Sequence, residues 1–392
     1  MRTLVISDLH LGSGTRADLL RRPELREALL AALADCDRLV LLGDVIELRH
    51  GPPRDAMNAA RGFFGAIGTA LPGLELVLVA GNHDHALIEP WLACRAEDPD
   101  VEPLGLSEVL GAEVSPGYRR ISEWCEPVRV RVAYPGLWLR GDVYATHGHY
   151  LDCHLTVPTL ERLSMAAMAR VLGVSPDSLS SVAAYESVGA PAFAWRDAVA
   201  RDARTGSALN GLATVSAWRA LGGGGARRDP TIGRAWSRPR RAIARELRRR
   251  ALVAAFPVAV GALNLAGLGP LRAEVSPNEL RRAGLQAMGE VAARLGLGDA
   301  HVVFGHTHRP GPLTGDDASE WLGRSGTRLV NTGSWTYAPI FLNNGRAGVS
   351  PYWPGTAVLV DDHGPPVLLS LLADRSLEQI RPQRTAPAQA QA

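Results

Sequence analysis

The chain has 392 residues, 46% of them hydrophobic and 21% charged, with a formal net charge of +2. Such a composition describes a globular chain with ample core material, and the small net charge does not by itself call for nucleic acid or a membrane. All 42 basic residues are Arg, and they are unevenly placed: Leu151–Leu280 holds 17 Arg against 10 acids, the remainder 25 against 30.

Thr3–Ser7, Arg38–Leu42 and Leu74–Ala80 are short runs rich in Val, Ile and Leu, which suit strands covered on both faces. Arg21–Leu33 has helical spacing with Pro23 near its start, and a second helix is expected over Ala56–Ala70. Strand, helix, strand, helix, strand reads as a layered α/β domain. Val128–Ala133 alternates Val with Arg and Ala, and Leu137–Thr146 continues as one or two strands, so an antiparallel meander is expected there. Helical stretches follow at Thr159–Leu172 and Ala190–Ala203, then a four-glycine break at Gly222–Gly225, a basic run at Arg240–Arg250 and an almost wholly apolar run at Ala251–Leu271. Strands return at His301–Phe304, Arg328–Asn331, Thr356–Val360 and Val367–Leu371. The last stretch, Arg381–Ala392, is mostly Pro, Gln and Ala and is expected to be disordered.

Cys36, Cys94, Cys125 and Cys153 lie far apart without a C-x-x-C pair, which argues against a disulfide framework or structural zinc. A strand directly after Met1-Arg2 leaves no room for a signal peptide, so a cytoplasmic protein is expected.

Five segments concentrate the chemistry: Asp8-Leu9-His10, Gly43-Asp44, Gly81-Asn82-His83-Asp84, His147-Gly148-His149 and Gly305-His306-Thr307-His308. Each follows a strand candidate. Seven of the eleven histidines fall in or beside them. A single such Asp or His would ordinarily be a cap or a surface residue. Together they gather the side chains that hold two divalent ions. Ions ~3.5–4 Å apart neutralise phosphate oxygens, lower the pKa of a bound water and align its attack. A carboxylate such as Asp44 can bridge both, while imidazoles and the amide oxygen of Asn82 fill other positions.

On these segments the chain resembles the calcineurin-like metallophosphoesterases, whose motifs run D-x-H, G-D, G-N-H-[DE], H and G-H-x-H. The likeness covers Met1–Tyr150 and about Ala300–Leu371. It implies a four-layer α/β/β/α sandwich, and the Ala- and Arg-rich stretch outside the likeness reads as a large helical insertion. The expected division is 1–150 and 281–375 for the two parts of the metallophosphoesterase domain, 151–280 for the Ala- and Arg-rich cap and 376–392 for the tail. It also implies that Asp8, His10, Asp44 and His308 hold one ion and Asp44, Asn82, His147 and His306 the other. Mn²⁺ is the expected ion, with Fe²⁺ and Zn²⁺ as alternatives, and a hydroxide between the ions is the expected nucleophile. His83 would stabilise the transition state or protonate the leaving oxygen, with Asp84 orienting nearby groups. Ser7-Asp8-Leu9-His10-Leu11-Gly12, Gly43-Asp44-Val45-Ile46-Glu47, Gly305-His306-Thr307-His308-Arg309-Pro310 and Asn331-Thr332-Gly333-Ser334-Trp335 are most similar to the UDP-2,3-diacylglucosamine pyrophosphatase branch. That branch usually has Arg where this chain has His83, and a smaller insertion of different sequence.

The expected activity is therefore hydrolysis of a phosphodiester or pyrophosphate bond in a phosphorylated small-molecule or lipid-linked substrate. Arg309 and His149 are candidate substrate contacts, with an ion pair the alternative for Arg309. His149, His85 and Asp152 are equally readable as outer support or polar rim, Glu47 as a helix-start residue, Asn331 as support for the metal loop, and Cys153 as an inert buried thiol. A single membrane crossing at Ala251–Leu271 would put His147 and His306 on opposite sides of the bilayer, which contradicts a shared ion. A buried cap hairpin, a dimer contact or a surface dipping into lipid remain open; a cap that can also touch the inner membrane face through 240–271 is the favoured reading, with an ordinary buried helix and a solvated Arg flank close behind. A nuclease ranks lower and nucleic acid is not expected as a partner, because Trp218 and Trp236 are sparse aromatics for base stacking. A non-catalytic scaffold is disfavoured because no ligand is missing.

Overall fold

The Val- and Leu-rich runs form strands buried on both faces: β1 (Thr3–Ile6), β2 (Arg38–Leu42) and β3 (Glu75–Val79). They lie parallel and adjacent, with Val5 opposite Val40 and Leu41 opposite Leu78. Parallel neighbours need crossovers. α1 (Pro23–Leu33) and α2 (Pro53–Ala70) supply them, each with proline in its first turn, where no backbone N–H bond is lost. The computed structural model describes residues 1–201, 255–274, 276–342 and 350–382. Gly222–Gly225, Arg240–Arg250, the start of the apolar run and most of the terminal Pro/Gln/Ala stretch lie outside them.

The meander expected near Val128 is replaced by something more regular. β5 (Arg129–Tyr134) extends the parallel sheet beside β3, with β4 (Glu108–Gly111) antiparallel at its edge. The Arg alternation has a local cause. Arg131 donates to Glu75 on β3 (3.4 Å), which also accepts from Arg38 on β2 (2.6 Å). α3 (Glu89–Glu97) and α4 (Pro116–Cys125) fill the stretch between β3 and β5, α4 capped by the Ser115 hydroxyl.

After Tyr134 the chain passes to a second sheet. β6 (Gly136–Arg140) and β7 (Val143–Thr146) pair antiparallel, and β8 (His301–Phe304) and β9 (Arg328–Asn331) join in parallel. β10 (Thr356–Val360) returns to the first sheet against β1, with β11 (Val367–Ser370) outside it. The sheets run β11-β10-β1-β2-β3-β5-β4 and β6-β7-β8-β9.

Three buried clusters define the layers. One packs α1, α2 and α4 on the outer face of the first sheet through residues such as Leu29, Phe64 and Ile121. A second is almost all aliphatic and lies between the sheets, with Val5, Val40 and Val79 meeting Ala145, Val303 and Val330. The third covers the far side of the second sheet with helices. The result is the expected α/β/β/α sandwich.

Those far helices belong to the long crossover between β7 and β8. They are α5 (Leu160–Leu172), α6 (Val182–Arg201) and α7 (Pro277–Arg294). α6 begins well before the expected Ala190, carrying Pro191 inside it. Tyr185 and Phe193 of α6 and Met288 of α7 join Tyr144 and Phe304 in one core. The described part of the apolar run is helical over 255–265 and largely exposed, with Val258 at 74% and Leu265 at 92%. No helix among the described residues is long and apolar enough to cross a membrane.

Candidate metal centre

Five strand ends converge on one spot. Asp8 and His10 follow β1, Asp44 follows β2, Asn82 and His83 follow β3, His147 follows β7, and His306 and His308 follow β8. The ends are tied together by the backbone. Asp8 N–H donates to the Gly43 carbonyl (3.1 Å), His10 N–H to that of Asp44 (2.9 Å), and Gly305 N–H to that of His147 (3.0 Å).

The turns that aim these side chains are strained. Among the described residues, six other than glycine have positive φ, and five of them are Asp8, His10, Asp44, His306 and His308. An L-residue rarely adopts that region, and such strain collects where a site over-determines the backbone. Gly43, at φ +81°, makes room for this arrangement: a Cβ there would collide with the His147 ring. At Gly81 a Cβ would collide with Asp44.

Three donor groups result, Asp8/His10/His308, His10/Asp44/His83 and Asp44/His147/His306, each with ligand atoms within 4.8 Å of one another. Asp44 is common to two. Its Oδ2 lies 3.8 Å from His10 Nε2 and 3.4 Å from His147 Nε2, while its Oδ1 accepts the His83 backbone N–H (2.8 Å). Asn82 Oδ1 lies 3.2 Å from His147 Nε2. His10 Nε2 and His308 Nε2 are 3.3 Å apart. Asp8 Oδ1 is buried and accepts no hydrogen bond from a described residue, although His308 Nε2 stands 3.1 Å away. Convergent imidazole nitrogens around an unsatisfied carboxylate oxygen are a donor set that fits divalent cations.

The outer nitrogens are also spoken for. His147 Nδ1 donates to the Leu42 carbonyl (3.0 Å), His10 Nδ1 to Glu47 Oε2 (3.0 Å), and His306 Nε2 to Asp152 Oδ2 (3.0 Å). Each bond fixes a ring and its tautomer, leaving the other nitrogen as the lone-pair donor. Glu47 is therefore more than a helix-start residue. It is 1% exposed and also accepts from His83 Nδ1 (2.9 Å). Asp152 joins the centre in the same way. Nothing in the local sequence around Glu47 pointed to this; only its separation from His10 by one strand–loop unit could have hinted at it.

The electrostatics match. Burial raises the Asp8 carboxyl, but His308 and His147 outweigh it and hold the group at about 2. For Asp44 burial is likewise overcome, by His147, His83 and His10, leaving it well below the usual range. Burial lowers the imidazoles, yet Glu47 and Asp44 lift His10 to about 9, and Asp44 lifts His147 to about 10. Three buried carboxylates thus demand positive charge at this spot, which protons or metal ions can supply.

Other expected residues fall differently. Asp84 is buried and its oxygens accept the backbone N–H groups of Gly81 (2.7 Å), Val45 (2.7 Å) and Ile46 (3.2 Å), binding the β2 and β3 turns together. Burial, then the Asp44 charge, pushes it up to about 6. His149 is 1% exposed, with its ring against His147, Tyr150 and Phe193. Burial and the charges of His147 and His306 keep it neutral. Arg309, expected as a substrate contact, holds Asp316 with two bonds of 2.6 Å and lies over the Trp321 ring. Its fork is filled by a carboxylate, so the ion-pair alternative describes it. Asn331 donates to the Gly305 carbonyl (2.8 Å) and to Thr307 Oγ1 (3.1 Å), supporting the His306–His308 turn.

Comparison with known proteins bears on this geometry. Residues 1–172 match the family model described as Calcineurin-like phosphoesterase. Over that segment the chain is similar to the calcineurin-like phosphoesterases. The chain is a metal-dependent hydrolase, and the family implies two divalent ions and a phosphorylated substrate. The crystal structure of a dimetal phosphatase from Danio rerio is similar at 11% identity, covering 95% of this chain and 99% of that one, with a TM-score of 0.30. No curated protein matches the sequence.

Proposed function

We propose that this calcineurin-like hydrolase cleaves a phosphodiester or pyrophosphate bond. In this reading Asp8, His10, Asp44 and His308 hold one ion, and Asp44, Asn82, His147 and His306 hold the other. The observation that carries it is the position of Asp44, whose carboxylate lies between His10 and His147 and is shared by two donor groups. Bound ions would neutralise the phosphate oxygens and lower the pKa of water at the site.

The chain's own residues do the rest. Glu47 accepts from Nδ1 of His83, so His83 Nε2 is the nitrogen free to hold a proton for the departing oxygen. Asp44 Oδ1 accepts the His83 backbone N–H, which ties that proton carrier to the metal-binding carboxylate. Asp84, through three backbone amides, keeps the β2 and β3 turns at fixed separation. Asn82 contributes a neutral oxygen where an anionic phosphate must enter.

Mn²⁺ is the ion we expect, its preference for carboxylate and amide oxygens matching Asp8, Asp44 and Asn82, while the imidazoles suit Fe²⁺ or Zn²⁺ as alternatives. The branch-like motifs around Asp8, Asp44 and His306 favour a pyrophosphate bond, in a small or lipid-linked substrate. The exposed apolar helix at 255–265 supports peripheral contact with a membrane from the cytoplasmic side. We read 151–280 as the cap over the centre.

The test uses Asp44→Ala and His306→Ala. With Mn²⁺ supplied, both should lose hydrolysis of an aryl phosphodiester such as bis-p-nitrophenyl phosphate and should lose bound metal by elemental analysis. Wild-type turnover in clean preparations of both variants would overturn the reading. A panel of nucleotide diphosphates, phospholipids, cyclic nucleotides and monoesters then separates the bond types.

A further inference from the structure

One buried ion pair joins the insertion to the metal centre. Arg49 lies on the loop after Asp44. Its backbone N–H donates to Glu47 Oε1 (3.0 Å), its Nη2 donates to the Asn82 carbonyl, and its Nε donates to Asp197 Oδ1 (2.7 Å). Asp197 belongs to α6, in the crossover between β7 and β8. The two side chains are 3% and 8% exposed. A carboxylate from the insertion is therefore seated among the residues that carry the chemistry.

The peptide linking Asn82 to His83 is gripped on both sides. Arg49 holds its carbonyl, and Asp44 Oδ1 accepts its N–H (2.8 Å). Turning that peptide would move a proposed metal ligand and the proposed proton carrier together. The hold depends on where the Arg49 guanidinium points, and Asp197 fixes that direction. Arg196, beside Asp197 on α6, is a second, partly buried cation whose charge opposes Arg49. It is held by Glu161 of α5 (2.9 Å). The two insertion helices thus carry matched charges that let two guanidinium groups lie close together. Without Asp197, Arg49 keeps its charge in a buried place and Arg196 pushes against it.

We infer that Asp197 is a positioning residue for the metal centre: acting through Arg49, it fixes the Asn82–His83 peptide, so that the insertion governs how tightly the second ion is held. The inference rests on the proposed dinuclear centre. Outer groups that orient metal ligands typically change metal affinity or activity by about 10- to 100-fold when lost.

The experiment measures Mn²⁺ binding to the full chain by calorimetry, with electron paramagnetic resonance reporting whether two ions sit side by side. Variants are Asp197→Ala, the isosteric Asp197→Asn, the charge-preserving Asp197→Glu and Tyr134→Phe. The last removes a 2.6 Å bond to Glu186 on the same helix and serves as a control for general loosening. Asp197→Ala and Asp197→Asn should weaken the second Mn²⁺ by about tenfold or more. They should lower kcat more than they change KM. Asp197→Glu should recover part of the affinity, and Tyr134→Phe should lower Tm while leaving Mn²⁺ binding intact. If Asp197→Ala does not fold, Asp197→Asn decides. Wild-type binding and kcat in the Asp197 variants overturn the inference, as does an equal loss in Tyr134→Phe. Failure of the wild-type chain to bind a pair of Mn²⁺ overturns instead the dinuclear reading on which it stands.

Discussion

Replacing Glu47 with Gln isolates the carboxylate shared by two imidazoles. Glu47 is 1% exposed and accepts from His10 Nδ1 (3.0 Å), His83 Nδ1 (2.9 Å) and the Arg49 backbone N–H (3.0 Å). Burial would raise its carboxyl, but His83 and His10 hold it well below the usual range, so it is ionised. Glutamine keeps one acceptor oxygen in nearly the same volume. Its NH₂ faces an imidazole N–H and cannot accept from it. One bond to a charged acceptor is lost, worth about 1.5–3 kcal/mol. At about 1.4 kcal/mol per factor of ten, that corresponds to roughly 10- to 100-fold in Mn²⁺ affinity, because the His10 ring is then no longer fixed for its ion. Calorimetric titration with Mn²⁺ measures the affinity, and turnover of an aryl phosphodiester at saturating Mn²⁺ measures what the freed His83 costs. Affinity and kcat both within twofold of wild type, in a variant with normal Tm, would refute the role assigned to Glu47.

Two further outcomes follow from the geometry. Gly43→Ala places a methyl against the His147 ring at a φ of +81°. Left-handed strain of about 1–2 kcal/mol and overpacking of about 1–3 kcal/mol should combine in a lower Tm and a lost Mn²⁺ site; a variant as stable and as metal-competent as wild type would show that the turn is not required. His154 lies apart from the ligands, its Nε2 accepting from the Tyr185 hydroxyl (2.7 Å), and burial followed by the Arg294 charge lowers it to about 4. Its pKa is depressed on folding, so between about pH 6.5 and 4 the unfolded chain binds the proton and the folded chain does not. Stability should therefore fall with pH across that window, by at most about 3 kcal/mol from this residue. Chemical denaturation of His154→Phe from pH 7 to 4 should show a flatter acid slope than wild type, and an identical slope would remove His154 as a cause.

Most of the scaffold was legible because its signals are local. A run such as Arg38–Leu42 is apolar without interruption and is followed by Gly-Asp, so strand and strand end are both written within a few residues. His301–Phe304, Arg328–Asn331 and Thr356–Val360 stand where their patterns put them. The Val128–Ala133 run misled because alternation with Arg looks the same in an antiparallel meander and in a parallel strand whose Arg131 pairs with Glu75, and only the neighbouring strand distinguishes them. Gly222–Gly225 and Arg240–Arg250 have no structural counterpart to compare, since they lie outside the described residues.

By itself the sequence determined which side chains could ligate a cation, because Asp, Asn and His carry their donor atoms wherever they stand. What only the tertiary structure decided is which groups orient those donors. Glu47 meets His10 across 37 residues of chain, Asp152 meets His306 across 154, and Asp197 meets Arg49 across 148. The five left-handed Asp and His residues belong to the same class, since each is held at positive φ by its surroundings and not by its own preference. Ligand chemistry is a property of the residue, whereas orientation is a property of contacts between distant segments, and such contacts exist only once neighbouring strands have paired and the helices have packed on them.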